Sequence, residues 1–238
     1  MRVGAERDVG DRFQSGTVQA GSSARTELIR FPVWLKTGFW ICVVIAVAAV
    51  VRRMVALLTA TGQSAPPDLS RLDAWFREHA MLTWIHISAA LAFVLLLPFV
   101  FRKRSGESGV TGRAFFVLGA ITGATAYGMS RYAVGGWLER SAVLVFNTLF
   151  LLSLGRAYVL QREGNTAEQK TWMIRAVAIL LGIATTRPVM GVFFATQRIS
   201  HLTPEEFFGM AFWIGYSINA IVIEFWLRSA ARRMHPGI

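Results

Sequence analysis

The chain has 238 residues, 54% of them hydrophobic, and a mean hydropathy of +0.45, which excludes a soluble domain with an ordinary polar surface. The formal net charge is +11, but its 22 Arg and 3 Lys flank apolar runs rather than sharing one face. That is an orientation signal, and no nucleic-acid partner is expected. The only cysteine, Cys42, lies in an apolar run, which excludes an intramolecular disulfide and a Cys-based metal site; no metal site is expected.

Residues 1–30 are polar, charged and rich in Gly and Ser, and they lack the apolar stretch of a cleaved signal peptide. They read as a disordered cytoplasmic tail, followed by a single helical membrane domain over 31–230 and a short cytoplasmic tail over 231–238. Six apolar stretches of spanning length follow in order, near 34–59, 80–101, 114–134, 141–161, 171–196 and 205–228. All must be helical, because a bilayer core offers backbone groups no water. The expected fold is an all-α membrane protein, a bundle of about six transmembrane helices. Arg52 and Arg53 interrupt the first stretch and leave its end undefined. Between the first two stretches, the segment 66–80 puts Leu72, Trp75 and Phe76 on one helical side and charges on the other. It reads as an amphipathic helix on the outer face, with a lid over an outer pocket as the functional alternative.

Lys and Arg distribute unevenly between the spans. The amino tail, the loops after spans two and four and the carboxyl tail hold fifteen, against four in the other three loops. Both termini are therefore expected in the cytoplasm, and the protein in the bacterial cytoplasmic membrane as a multi-pass chain whose first partner is the lipid bilayer.

Several spans carry polar residues that hydrocarbon disfavours. At 1.5 Å rise per residue, His86, Tyr127, Arg131, Asn147 and Arg187 all fall in the outer half of the bilayer. Gly119, Gly123, Tyr127 and Arg131 recur every four residues. The glycines allow a close neighbour, and the stripe is expected to turn Tyr127 and Arg131 inward. Arg131 snorkelling to the outer interface is the plainer alternative. Pro188 beside Arg187 frees a carbonyl in the preceding turn and suggests a broken helix. These five residues are the pocket candidates. Glu224 is the only acid in the interior of the six stretches, Glu205 and Glu206 standing at the very start of the sixth, and Arg175 matches its depth near the inner side. That pair is expected to be a structural ion pair. Arg156 lies half a turn from Asn147 in angle and should snorkel to the cytoplasm. His86 has no second intramembrane histidine for a bis-histidine haem site, and a hydrogen-bonded core histidine is its plainer reading.

The chain resembles a family of bacterial multi-spanning membrane proteins, domain-of-unknown-function family 2306. The resemblance covers roughly 34–230. It rests on Trp172-Met173-Ile174-Arg175-Ala176 with Thr186-Arg187, then Ile85-His86, Gly112-Arg113, Gly135-Gly136, and Asn219 with Glu224-Phe225-Trp226. Members resemble one another in a histidine before the Gly-Arg pair and another before the Trp-Met-Ile-Arg run. This chain has Gly109 and Gln169 there; if those histidines bind something in relatives, that capacity is expected to be lost or altered here. The resemblance supplies no reaction and no cofactor.

No Ser-His-Asp arrangement, phosphate loop or paired-carboxylate site is visible in the spans, so no enzyme class is indicated. The leading reading is a binding or accessory protein with a polar intramembrane pocket in the outer half, taking a small anionic or quinone-like ligand or serving a membrane partner subunit. The alternatives are a membrane redox protein using haem or quinone and, more weakly, a transporter.

Overall fold

The computed structural model describes residues 31–58, 76–102 and 110–234. They form six long helices: α1 Val33–Leu58, α2 Ala80–Arg102, α3 Val110–Ser130, α4 Gly136–Arg162, α5 Thr166–Ser200 and α6 Pro204–Met234. Each coincides with one of the six apolar stretches. Among the described residues there is no strand. Five helices, all but α3, are long and apolar enough to cross a membrane. α3 has 21 residues, about 31 Å at helical rise, which still matches a hydrocarbon layer of about 30 Å. The amino tail, most of the amphipathic segment and Gly109 lie outside the described residues; Phe76–Glu78 form a helical turn leading into α2.

Local chemistry sets the helix ends. Asn165 caps α5 by accepting from the Glu168 N–H at 3.3 Å. Thr203 and Glu206 cap α6: Glu206 accepts from the Thr203 N–H at 2.8 Å and its hydroxyl at 3.1 Å, with Pro204 in the first turn. α4 starts at Gly136, five residues earlier than the apolar run suggests, because Gly136 takes a φ of 59° and lets the chain reverse sharply after α3. The consequence is that Glu139 joins the helix. Glu139 thus stands in the first turn of α4, as Glu168 does in α5 and Glu205 and Glu206 do in α6. α5 corrects a second expectation: it runs unbroken from Thr166 to Ser200 with Pro188 inside it.

The helices α1 to α5 form a ring, each packed on the next and α1 closing onto α5, while α6 packs outside against α5 and α4. The end holding the α3–α4 and α5–α6 turns is termed distal; α1 begins and α6 ends at the proximal end. Lipid tails are as apolar as leucine, so close packing and hydrogen bonds, not water exclusion, hold such helices together. The α5–α6 seam shows the packing. A Cβ at Gly182 would lie 2.5 Å from the Tyr216 ring, and one at Gly215 would lie 2.6 Å from the Thr186 nitrogen. Mid-seam, Asn219 donates to the Ala178 carbonyl at 3.1 Å and accepts from Thr185 at 2.7 Å. With that hydroxyl proton committed, Cys42 is left to donate to Thr185 at 3.8 Å, which pins α1 to α5. Near the proximal end Arg175 Nε meets Glu224 Oε2 at 3.0 Å, and Arg228 Nε meets Glu224 Oε1 at 3.0 Å. The Arg175 guanidinium also lies 4.7 Å above the Trp172 ring. Aromatics fill the ring below the cavity, with Phe93 stacked on Phe115 at 4.5 Å and edge-on to Phe150, which reaches the cavity wall.

Candidate functional site: a cavity in the distal half

The distal half of the ring encloses a cavity of about 470 Å³, within the range of small-molecule sites, about 300–1,000 Å³. All six helices contribute to it, α6 by passing Phe208, Phe212 and Tyr216 between α4 and α5. Most of its wall is apolar. Its polar groups are Arg52 and Arg53 from α1, Thr83 and His86 from α2, Thr122 and Ser130 from α3, Tyr132 from the turn after it, Glu139 and Asn147 from α4, Arg187 from α5 and Tyr216 from α6.

Cross-helix contacts place these groups in layers. His86 meets Thr125, Asn147 meets Gly123, and Phe146 stacks on Tyr216, so His86, Asn147 and Tyr216 form the floor. Tyr216 faces Gly182, and Arg187 is five residues further along α5, about 8 Å more distal. Glu139 is seven residues before Phe146, about 10 Å distal of the floor. Arg187 and Glu139 therefore occupy the upper layer.

Arg187 is the unusual group. It is exposed by area, and it lines the cavity. A guanidinium has five N–H donors. Among the described residues its hydrogen-bonding partner is the Met190 thioether, 3.9 Å from Nη1 and a weak acceptor. Glu139 and Tyr216 face it electrostatically and Arg52 opposes it, while Glu139 spends Oε2 on the Gly135 N–H at 2.6 Å. Arg53 lies on the Phe76 ring at 4.0 Å.

The floor groups are oriented by neighbours. Thr125 Oγ1 lies 2.7 Å from the Ile121 carbonyl and 2.9 Å from His86 Nδ1. The hydroxyl has one proton, and a carbonyl can only accept. His86 Nδ1 is therefore the N–H donor, and Nε2 of the neutral ring keeps its lone pair. Asn147 donates Nδ2 to the Gly123 carbonyl at 2.9 Å.

Of the five pocket candidates, His86, Asn147 and Arg187 line this cavity, and Tyr127 and Arg131 do not. The glycine stripe is the reason. Gly119 and Gly123 meet Leu154 and Leu151 of α4. One turn on, the Tyr127 hydroxyl lies 2.7 Å from Thr148 Oγ1 on an exposed part of α4, and because Thr148 gives its proton to the Leu144 carbonyl at 2.6 Å, Tyr127 donates. The stripe marks the α3–α4 seam, and the next face of α3, with Thr122, Ala126, Met129 and Ser130, forms the cavity wall. Arg131 lies exposed in the turn beyond α3. Arg156 is exposed on α4, and Gln169 donates to the Met173 sulfur at 3.6 Å. Glu139 and Tyr216 join the site without a mark in the sequence. Glu139 precedes the apolar run, and Tyr216 is one aromatic residue in an aromatic-rich helix. Arg52 and Arg53, which look like an interrupted span, reach the cavity from the distal half of α1.

Residues 83–227 match the model of one protein family, described as predicted membrane protein, DUF2306. The match spans α2 to α6 and leaves α1 outside. No curated protein and no solved structure matches. On that match the chain belongs to the DUF2306 family.

Proposed function

We propose that this DUF2306 member is a binding protein whose distal cavity holds an amphipathic ligand with an anionic head. Arg187 carries the reading. Among the described residues its hydrogen-bond partner is a thioether and Glu139 faces it without bonding, so a guanidinium in a largely apolar, membrane-level cavity is costly unless a further anion completes it. A carboxylate or phosphate would take paired, charge-assisted N–H bonds there. The apolar wall of Ile179, Ile183, Phe146, Phe150 and Phe212 suits a hydrocarbon tail. The positive-inside distribution of Lys and Arg supports a distal end facing outward from the bacterial cytoplasmic membrane.

A second reading has its own observation. The neutral Nε2 of His86 and the Tyr216 hydroxyl share the floor with Phe146 and Phe212, a setting suited to a quinone ring. Gentle extraction with native mass spectrometry and an absorbance spectrum tests both. The expected result is a retained anionic amphiphile, lost in Arg187→Ala and kept in Tyr127→Phe. A retained quinone supports the second reading. Unchanged retention in Arg187→Ala rejects the anionic site.

A further inference from the structure

We infer that the cavity is loaded sideways from the bilayer, through a fissure between the distal halves of α1 and α5, by a lipid-borne amphiphile with an anionic head. This rests on the cavity being a binding site.

The walls differ in how they are closed. Hydrogen bonds from His86 to Thr125 and from Asn147 to Gly123 tie α2 to α3 and α3 to α4. Distally, α1 is tied to the segment entering α2: Arg53 lies on Phe76, and Arg77 donates to the Ala56 carbonyl at 3.1 Å. The α1–α5 contact is different. Lower on α1, Phe39, Cys42 and Val43 pack into the core, and Cys42 bonds Thr185. Above that, no described residue of α1 beyond Ala46 is buried, and none of α5 beyond Met190. Arg187 and Gly191 are exposed along that stretch while lining the cavity, and a Cβ at Gly191 would meet nothing within 4 Å.

The chemistry of the lips selects the ligand. Ala49 and Val50 on α1 and Gly191 and Phe194 on α5 line the opening, and the neighbouring Val51 and Val192 are exposed. Both helices are long and apolar enough to cross a membrane. An apolar slot in a spanning wall admits a hydrocarbon chain and disfavours a hydrated ion. Gly191 is one turn from Arg187, about 6 Å along α5, so a chain passing the lips brings its head to the guanidinium.

The test uses the full chain in lipid nanodiscs with Cys42→Ser, and a fluorophore on Gly191→Cys or, as a lipid-facing reference, on Val192→Cys. Brominated lipids should quench the Gly191 label at least half as strongly as the reference, and aqueous iodide should quench it little. In the unlabelled chain, oleate retention read by native mass spectrometry should be at least tenfold weaker in Arg187→Ala than in the unchanged protein, whereas excess inorganic phosphate should not displace the oleate. Stronger quenching by iodide than by brominated lipid would overturn the portal, even if purified protein retains an anionic amphiphile. Empty protein in mass spectrometry would reject the binding reading without altering the quenching result.

Discussion

The α5–α6 seam offers the sharpest test of what holds this bundle together. Gly215→Ala adds one methyl group where a Cβ would sit 2.6 Å from the Thr186 nitrogen, 2.7 Å from its Cγ2 and 2.8 Å from its Cα. Two of those atoms are backbone, so no rotamer change relieves the clash. Restoring ordinary contact at 3.4 Å requires the helices to part by about 0.8 Å. Overpacking of this kind costs roughly 1–3 kcal/mol, and the gain in helix propensity from Gly to Ala offsets only about 1 kcal/mol. Gly155→Ala is the internal comparison, because Gly155 is exposed on α4 with nothing within 4 Å of its Cβ. That variant keeps the propensity gain and meets no clash. The propensity gain is common to both, so the two should differ by the overpacking cost, about 1–3 kcal/mol, read as relative thermal stability in one detergent at a fixed scan rate, since unfolding is expected to be irreversible. The displaced neighbour is Thr186, next to Arg187, so ligand retention should fall along with stability in Gly215→Ala. Equal stability of the two variants would refute the close-approach argument.

Gly191→Leu should do the opposite of Gly215→Ala. It fills open space beside Arg187, so thermal stability should hold or rise by up to about 1 kcal/mol, while native mass spectrometry shows the ligand gone. For the proximal ion pair, a double-mutant cycle on Arg175→Ala and Glu224→Ala should give a coupling of about 0.5–2 kcal/mol, reduced because both side chains are partly exposed. Strict additivity of the two single changes would show that the 3.0 Å contact contributes nothing to stability.

The elements and the site differ in how far the sequence reveals them. Each helix is legible because spanning length and apolar content are properties of a contiguous run. Arg175 and Glu224 are legible as partners because both lie near the same end of antiparallel neighbouring helices. Tyr127 shows where such reasoning stops. Its four-residue stripe with Gly119 and Gly123 does mark a close helix contact, but small residues do not say which neighbour approaches. The neighbour is α4, on a side that carries Tyr127 to Thr148 and away from the cavity. Glu139 shows a different gap. It stands before the apolar run, and only the left-handed Gly136 brings it into α4 and beside the distal cavity.

The sequence by itself therefore determined the six long helices of the described residues, their order and how far along its helix most polar residues stand, because these follow from hydropathy and a rise of 1.5 Å per residue. Tertiary structure alone decided which polar residues meet. Rotation of each helix about its axis depends on seams such as Gly182–Tyr216 and Gly215–Thr186, where two helices must agree. That agreement turns Arg187 into the cavity with Glu139, Tyr216 and His86 around it, and leaves Arg131 outside.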